Sequence, residues 1–488
     1  MRRTRCYLWY GMVLTLLSAC TSRPGENAEP INRLATIYPD YSELVIPENL
    51  APLNFLVQEE GEAYYARLSW ANGSYAVGTK DGDFRFPEKK WKEMLAAASG
   101  KEIRYELFVQ RDAKWYRFNT FTNAVVHDKV DPWLYYRLLH PGYIKWKEIK
   151  IARRSLESFN EKMLVENTVL DDNCVNCHAF NQQNPGNFMI HVRGSLGGTY
   201  FVTDGDLKRF SLKTKEMENG ATYPRWHPSG KFVAFSSNKV VQRFHSMEMK
   251  KIEVSDLNSS LVLYDVEKNE MMAIPVDREH AFMDTYPEWS PDGRFLYFCR
   301  ARQIGEEYDY RDIKYNLCRV SFDPARRRFG EPEVLIDAEA ERKSVSFPRI
   351  SPDGTSLVFV KHNYGCFSIW HKEADLYTIR LDDFSVKECG VNSEFTESYH
   401  SWSSNGRWMI FSSKRGDGLT ARPYIAYLDE GGQWHKPFIL PQNDPRFYDT
   451  FLETYNIPEF ARAKVAFSPG ELRRASGKEA VQAKWAKQ

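Results

Sequence analysis

Alternating apolar and polar positions mark short strands in the first quarter of the chain. Runs of strand length, separated by turn-forming residues, predict a β-rich region interrupted by one helix over 88–98. The predicted strands are 53–57, 63–70 and 103–109, with turns at 71–74 and 80–83. We therefore expect a small β-sandwich domain over 36–130, without the cysteine and tryptophan signature of an immunoglobulin domain.

A different pattern repeats four times in the later part of the chain. Each copy is a strand, a tight turn of the Pro-Asp-Gly type and a second apolar strand. Proline sets φ in such a turn, and glycine or asparagine tolerates a positive φ. The copies are 223–235, 286–298, 347–359 and 399–411. Further strand pairs follow them, so each unit has four strands, which is the blade of a β-propeller.

The ends of the propeller decide the number of blades. Residues 188–212 supply three more strands, an incomplete blade whose missing strand we expect from 451–460. Their pairing would close the ring by joining the two ends of the chain. The predicted fold class is mainly β, a five- or six-bladed propeller over 188–460 preceded by the small sandwich and a haem-binding linker.

Two segments outside these domains have another character. Residues 131–187 are predicted to be that helical or irregular linker, and 461–488 a basic, solvated tail. The linker carries an aromatic cluster formed by Trp133, Tyr135, Tyr136, Tyr143 and Trp146. Such a cluster is typical of a domain interface, and the alternative is the wall of a cofactor pocket.

The first twenty residues predict export. Three arginines precede an apolar run of about a dozen residues, which is too short to span a bilayer. The Leu-Ser-Ala-Cys that follows resembles the bacterial lipoprotein signal, which implies removal of the signal peptide 1–20, acylation of Cys20 and a tether over 21–35. An ordinary signal peptide or a short anchor helix is the alternative. Because no dense acidic run follows Cys20, we expect the protein on the periplasmic face of the outer membrane.

The charge balance argues against one class of partner. The chain has 66 Lys and Arg against 65 Asp and Glu, so no net charge draws it to nucleic acid or to an anionic membrane surface. Aromatic residues make up 14% of the chain, which suits sheets whose cross-strand pairs use large flat side chains.

The motif that carries chemistry is Cys174-Val175-Asn176-Cys177-His178. Two thiols three residues apart, followed at once by an imidazole, are the arrangement that attaches one haem c. Cys174 and Cys177 would form the thioether bonds, and His178 would be an axial ligand of the iron. Half of a zinc site, a redox-active dithiol and chance are the alternatives. Zinc needs a second Cys/His pair, and a dithiol of the thioredoxin type needs a βαβ context.

A six-coordinate haem needs a second axial ligand, usually His or Met. We favour His191 on a predicted strand, with His245 in the insertion 239–258 as the other candidate, and we expect Arg193 to pair with a haem propionate. His227 lies in a repeat turn and is assigned to local structure. An open iron position would indicate ligand sensing or peroxide chemistry. The candidates nearest the motif are Met189, His191, His227, His245 and Met247.

Four more cysteines lie singly along the propeller. Cys299 and Cys318 fall on consecutive predicted strands of one blade, and Cys366 and Cys389 are similarly placed in the next. In an oxidising compartment either pair is able to form a disulfide, and buried free thiols are the alternative.

The repeats carry a family resemblance. The W-S-P-D-G copy at 289–293 and its counterparts resemble the TolB-like, WD-type β-propellers of bacterial envelopes, over 188–460. The order of sandwich, aromatic segment, C-V-N-C-H-A-F at 174–180 and propeller resembles more narrowly a group of TolB-like haem-containing lipoproteins, often labelled cytochrome c biosynthesis proteins. The CxxCH and Cys20 depart from a plain TolB-like protein, so a Tol-type role does not follow from the resemblance.

These patterns leave three hypotheses for function. The first is a membrane-anchored periplasmic c-type haem protein that transfers electrons and docks a redox partner on its propeller. The second is an envelope binding or scaffold protein for a protein or glycan, with a structural or sensory haem. The third is a haem enzyme with an open iron site. A propeller peptidase is not expected, because its Gly-x-Ser-x-Gly domain would need far more than the 28 residues after Phe460.

Overall fold

The computed structural model describes residues 23–486 apart from 26, 144, 204, 247–249 and 306. The predicted signal peptide, Cys20 and Met247 lie outside these residues. Within the described part of the chain, no helix is both long and apolar enough to cross a membrane.

A β-domain with one helix forms the first part of the described chain. Its seven-stranded sheet is built on β8, which pairs antiparallel with β5 along one edge and with β9 and β10 along the other, and a three-stranded sheet shares its core. The helix buries Trp91, Met94, Leu95 and Ala98, a spacing that puts one apolar stripe on the core. The elements are β1 (Glu29–Ile31), β2 (Ile37–Tyr38), β3 (Val45–Pro47), β4 (Phe55–Val57), β5 (Ala63–Trp70), β6 (Gly73–Thr79), β7 (Asp83–Phe84), α1 (Glu88–Ala98), β8 (Lys101–Arg111), β9 (Lys114–Phe118) and β10 (Phe121–Val126).

Six further sheets follow, and each contains four or five strands. In chain order the strands are β11 (Trp133–Leu139), β12 (Lys150–Ser155), β13 (Glu161–Glu166), β14 (Cys174–Asn181), β15 (Asn184–Arg193), β16 (Gly198–Thr203), β17 (Asp206–Ser211), β18 (Ala221–Trp226), β19 (Phe232–Phe244), β20 (Ile252–Asp265), β21 (Glu270–Ala273), β22 (Phe282–Trp289), β23 (Phe295–Arg302), β24 (Asn316–Asp323), β25 (Arg328–Phe329), β26 (Glu333–Ile336), β27 (Ser344–Ile350), β28 (Ser356–His362), β29 (Asp375–Arg380), β30 (Val386–Glu388), β31 (Glu397–Trp402), β32 (Trp408–Ser413), β33 (Arg422–Tyr427), β34 (Phe438–Ile439), β35 (Thr454–Ala461), β36 (Val481–Gln482) and β37 (Lys484–Trp485). Two helices, α2 (Phe447–Thr450) and α3 (Pro469–Ser476), lie near the C-terminus.

The six sheets are arranged as blades around a ring. Blade 1 is β14–β17, blade 2 is β18–β21, blade 3 is β22–β26, blade 4 is β27–β30, blade 5 is β31–β34, and blade 6 combines β35 with β11–β13. The first strands β14, β18, β22, β27, β31 and β35 each contact the next, and β35 returns to β14. This is the arrangement of a β-propeller, in which the first strands line a central channel.

The predicted linker is the largest correction to the sequence analysis. Residues 131–187 are not helical or irregular: they contain the three outer strands of blade 6 and the first strand of blade 1. In β11 the last six residues are all buried, so both faces of the strand are covered and the alternating pattern disappears. A continuous apolar run of this kind does not distinguish a strand from a helix.

The closure of the ring also differs from the expectation. The strand predicted over 451–460 is present as β35, but it pairs with β11 and not with the strands of 188–212. Those strands already have a first strand of their own, β14, which carries the CxxCH motif. The ring therefore joins the two ends of the propeller within blade 6.

The predicted solvated tail is also wrong. A capping box at Ser468 and Glu471 starts α3, whose Leu472 is fully buried. Beyond it, β36 adds to the edge of blade 1 and β37 to the edge of blade 2. The tail covers two exposed strand edges, which removes sites for pairing with other chains.

The β-domain is fixed on blade 5. Trp408 Nε1 donates to the backbone oxygen of Asp128 at 2.8 Å, and Tyr427 Oη donates to Asp128 Oδ2 at 2.6 Å. The backbone N–H of Ser404 donates to Asp131 Oδ2 at 2.6 Å. Because the two units also share one hydrophobic core, the β-domain and the propeller pack as a continuous body.

Candidate functional site

All six first strands carry a β-bulge at the same place. At this point two residues of the first strand face one residue of its neighbour, and the register shifts. In five of these strands the first bulge residue has φ between 48° and 51°. The bulges are Asn176–Cys177, Tyr223–Pro224, Tyr286–Pro287, Phe347–Pro348, Tyr399–His400 and Ile457–Pro458. The second cysteine of the motif thus occupies the position that proline has in four other blades.

Charged side chains follow the bulge and form a ring in the channel. Arg225 Nε lies 2.9 Å from Glu288 Oε2, and Arg225 Nη1 lies 3.1 Å from Glu459 Oε1. Arg349 Nη1 lies 3.4 Å from Glu288 Oε2. Burial and the nearby Arg225 lower the pKa of Arg349 to about 9, and burial raises the pKa of Glu459. His178 occupies the equivalent position in blade 1.

His178 is a buried imidazole at the edge of this charged ring. Its side chain has no exposed surface, and Nε2 lies 3.5 Å from Glu459 Oε2. Among the described residues neither ring nitrogen makes a well-formed hydrogen bond, and the same is true of Glu459 Oε2. Burial lowers the pKa of His178 to about 3, and Arg137 and Arg225 act in the same direction. The imidazole is therefore neutral near pH 7, with a lone pair free to bind a metal.

The two thiols of the motif differ in exposure. Cys177 is buried and, with His178, lines a narrow part of the channel. Cys174 is half-buried and lies opposite Arg193 in the register of β14 and β15. Burial raises the pKa of the Cys174 thiol, while Arg137 and Arg193 act in the opposite direction. Both thiols are free.

Side chains around the motif hold β14 in place. Arg137 donates through Nη1 to the backbone oxygen of Asn176 and, at 2.9 Å, to its Oδ1. Asn173 Oδ1 accepts from the backbone N–H of Leu196 at 2.9 Å, which ties the start of β14 to the turn after β15. These contacts fix the backbone on both sides of Cys174.

The structure brings only some of the predicted site residues together. His178 faces Ile190 in the register, so His191 points to the opposite side of the sheet, where Nδ1 lies 3.2 Å from Thr199 Oγ1. His191 is therefore not positioned as the second axial ligand of an iron held by His178. Arg193 lies opposite Cys174 in the register of β14 and β15, and its role as a propionate partner stays a prediction.

The remaining histidine candidates lie elsewhere. His245 is at the end of the hairpin formed by β19 and β20. Its backbone N–H donates to the backbone oxygen of Lys251 at 3.0 Å. His227 is local structure, as predicted, because Nδ1 lies 2.7 Å from Ser229 Oγ and Nε2 lies 3.1 Å from the Gly293 oxygen. In the described part of the chain no group of three or more Cys, His, Asp and Glu side chains is placed to hold a metal ion.

The four propeller cysteines are free and buried. Cys318 pairs with Phe298 across β23 and β24, so Cys299, the next residue, points to the opposite face of the sheet. Cys366 Sγ lies 3.4 Å from Asp256 Oδ2, and Cys389 Sγ lies 3.1 Å from Thr378 Oγ1. Neither candidate pair forms a disulfide, and the four cysteines are the buried free thiols of the alternative.

The chemistry of the motif favours a bound haem, whereas the space around the motif is too small for one. Two free thiols and a neutral imidazole without a well-formed hydrogen bond are the chemistry that a covalently attached haem needs. The void beside Cys177 and His178 is about 20 Å³, which is room for one water molecule. The two thiols and the imidazole therefore fit a haem. The void is too small for one, so the side chains packed around the motif would have to move when a haem is attached.

A wider polar cavity opens on the face that carries the Pro-Asp-Gly turns, which we call the turn face. It measures about 290 Å³ and is lined by the charged ring together with Trp226, Trp289, Trp402 and Arg462. The sequence analysis missed the ring, although the third residue of three of the four repeats signals it: Arg225, Glu288 and Arg349 occupy that position, and the fourth repeat has Ser401 there. Polar residues in this place point into the channel because the bulge turns them there.

Comparison with solved structures finds distant propellers. The chain is similar to TolB from Acinetobacter baumannii, with a TM-score of 0.42 and 11% identity over 77% of this chain and 86% of that one. It is also similar to a hypothetical selenium-binding protein from Sulfolobus tokodaii, with a TM-score of 0.42 and 8% identity over 70% and 95%. Prolyl oligopeptidase B from Galerina marginata matches with a TM-score of 0.38 and 12% identity over 62% and 44%.

No protein-family model and no curated protein sequence matches the chain. Because the structural similarities are distant, the fold rests on the sheet topology, and no activity is taken from them.

Proposed function

We propose that this chain is a c-type haem protein of the bacterial envelope, built as a six-bladed, TolB-like propeller and lipid-anchored through Cys20. Its function is electron transfer through one haem c, with the propeller as the docking surface for a protein partner. The observation that supports this most is the placement of Cys174, Cys177 and His178 on the first strand of blade 1, at the channel.

The residues of the motif have separate roles in this proposal. Cys174 and Cys177 are the attachment points, and both are free thiols. His178 supplies a neutral imidazole, since burial keeps its pKa near 3. Arg193, opposite Cys174, is suited to neutralise a propionate. A bound haem would supply one-electron redox chemistry.

The charged side chains around the motif are placed where they would change the reduction potential of a bound haem. Arg137 and Arg225 both act on His178, and Arg137 is fixed by its hydrogen bonds to Asn176 and to Asn456 Oδ1 at 2.7 Å. Fixed positive charges next to an iron centre favour its reduced, less positive state. Charges of both signs would therefore act on the group: Arg137 would raise its reduction potential, and Glu459, whose Oε2 lies 3.5 Å from His178 Nε2, would lower it.

The direct test is covalent haem on the purified, exported protein. We expect an absorbance band near 400 nm that stays with the polypeptide after denaturation, at about one haem for each chain. The double variant Cys174→Ala/Cys177→Ala should lose it, while Cys318→Ala, a buried free thiol outside the motif, should keep it. A denatured wild-type chain without haem would contradict the proposal.

A second function is favoured by the polar cavity of about 290 Å³ on the turn face. In this alternative the propeller binds a protein or glycan ligand, and a haem, where attached, is structural or sensory. The redox behaviour of the wild-type haem separates the two, because both functions expect the propeller to keep binding its partner when the haem is absent. A haem that is reduced and reoxidised by the bound partner supports electron transfer, and a haem that stays in one redox state would favour the binding protein.

A further inference from the structure

A second large cavity lies on the face of the propeller opposite the turn face. It measures about 520 Å³ and lies between blades 4 and 5, at the end of β28 and the end of β32. This volume falls within the range of roughly 300–1,000 Å³ that is typical of small-molecule sites. Its walls include the aromatic side chains Tyr364, Trp370 and Phe395.

The hairpin of β19 and β20 reaches this cavity from blade 2. The two strands stay paired from Phe232 and Asp265 out to Phe244 and Ile252, so the hairpin extends well beyond the other strands of its blade. Lys250, just before β20, lines the cavity between blades 4 and 5. The hairpin therefore crosses the propeller face and covers part of the cavity.

Lys250 attaches the hairpin firmly. Its Nζ lies 2.5 Å from Glu253 Oε2, 2.9 Å from Tyr364 Oη and 3.2 Å from His371 Nε2. An ammonium group has three N–H donors, so all of them are used. His371 in turn lies 3.1 Å from Glu373 Oε1 through Nδ1. None of these groups is free to neutralise a further charge in the cavity.

Lys414 is the unusual side chain of the cavity wall. It is only 3% exposed, and its Nζ lies 3.4 Å above the ring centroid of Trp370. Among the described residues, no side chain or backbone group forms a hydrogen bond or an ion pair with Lys414 Nζ. Burial lowers the pKa of Lys414 well below its usual value. Burial without a counter-ion favours the neutral amine, so an anion bound at this place would be stabilised by the ammonium form that it induces.

Asp417 acts on the pKa of Lys414 through its charge and raises it, but it forms no ion pair with the lysine among the described residues. Asp417 is the closest in sequence, and its Oδ1 already accepts from the backbone N–H groups of Leu419 and Thr420, at 2.8 Å and 2.7 Å. Its Oδ2 accepts from the Thr420 hydroxyl. Lys372 is an exposed cation at the rim, with Nζ 5.0 Å from the ring of Phe395. The cavity thus offers one buried lysine amine within aromatic walls, and this amine takes up a proton when an anion binds beside it.

We propose that this cavity binds a small organic carboxylate, with Lys414 as the partner of its charge and the aromatic walls as the partners of its apolar body. One available cation matches a monoanion better than a phosphate dianion, which needs several donors and a second charge. The site is independent of the haem motif, which lies in the channel on blade 1.

The test uses benzoate as the probe and benzamide as its neutral, equally shaped control. In titration calorimetry on the full protein we expect benzoate to bind at least tenfold more tightly than benzamide. Lys414→Met should lose this preference, Lys414→Arg should keep part of it, and Lys372→Met at the rim should stay within about threefold of the wild type. Equal binding of the two probes, no binding of benzoate, or full benzoate affinity in Lys414→Met would overturn the proposal.

Unfolding of the variants separates a ligand site from a structural role. If Lys414 serves a ligand, Lys414→Met should unfold at the same or a higher temperature, because a buried amine without a hydrogen-bond partner among the described residues has been replaced by an apolar side chain of similar volume. A marked loss of stability in both Lys414→Met and Lys414→Arg would show that the lysine is structural and would overturn the proposal.

Discussion

The first strand of blade 1 and the first strands of the other five blades share a bulge at the same place, but they differ in its chemistry and in φ at its first residue, which is positive in the other five only. In blade 2 the bulge and the following residue are Tyr223, Pro224 and Arg225, whereas blade 1 has Asn176, Cys177 and His178. The aromatic bulge residues of neighbouring blades stack along the channel, as Tyr286 and Phe347 do at 4.1 Å between ring centroids. Blade 1 lacks an aromatic residue in its bulge and has the two thiols and the imidazole of the motif on this strand instead. A repeated backbone feature thus provides a fixed frame in which one copy can carry a reactive site.

The largest expected effect comes from making blade 1 resemble its neighbours. Cys177→Pro places in the blade 1 bulge the residue found in blades 2, 3, 4 and 6. We expect the propeller to fold, with a melting temperature within a few degrees of the wild type, while doubly attached haem falls from about one per chain to none. Mass spectrometry of the denatured chain measures the attachment. A variant that fails to fold would show that the bulges are not equivalent.

The charged ring should be far more important for stability than pairs on the outer surface. Glu288 faces both Arg225 and Arg349, and all three side chains are largely buried. Glu288→Gln leaves two buried guanidinium groups with Glu459 as their remaining carboxylate, which we expect to cost about 3 kcal/mol in the free energy of unfolding.

The matched control for the ring is an exposed ion pair. Lys231 and Glu267 lie 3.0 Å apart, and both side chains are more than half exposed. Glu267→Gln should change the free energy of unfolding by less than about 0.5 kcal/mol. Urea denaturation of the two variants gives both changes in the free energy of unfolding. Equal changes would mean that water screens the charges of the channel as well as it screens those on the outer surface.

Sequence reasoning recovered the repeating parts of the fold and missed the parts that depend on closure. The four Pro-Asp-Gly-type copies and helix α1 were predicted, because turns and amphipathic spacing are local signals. The strand β14 was missed because its bulge lacks the aromatic residue and proline of the repeat. Blade 6 was missed because β11 and β35 are far apart in the chain and buried on both faces.

The sequence predicted which residues of the candidate site could bind a haem, but it did not predict the charged side chains around them. The spacing of Cys174, Cys177 and His178 is visible in the sequence, whereas the contact of Arg225 with Glu459 joins residues 234 positions apart. His191 was favoured as a ligand from its nearness in the chain. The register of β14 and β15 places it on the other face of the sheet, and one residue of register is enough to decide this.

The smallest effect concerns His400, which stands in the blade 5 bulge where blade 1 has Cys177. It is buried, its Nε2 lies 2.9 Å from the Val358 oxygen, and burial lowers its pKa to about 3. An unfolded chain takes up a proton on histidine near pH 6.5, so between these values the unfolded state binds more protons and stability falls as the pH is lowered. From pH 7 to pH 5 this group should cost about 2 kcal/mol in the free energy of unfolding.

His400→Gln should therefore be less dependent on pH than the wild type, and the gap between the two should narrow by about 2 kcal/mol as the pH falls from 7 to 5. Ser401, which follows the same bulge and does not titrate, provides the control: its Oγ donates to the Pro458 oxygen at 2.8 Å, and Ser401→Ala should leave the pH profile of the wild type unchanged. Urea titrations at several pH values give the profile. A constant gap would mean that His400 is already charged in the folded protein, and that the bulge of blade 5 is open to water in a way that the buried bulge of blade 1 is not.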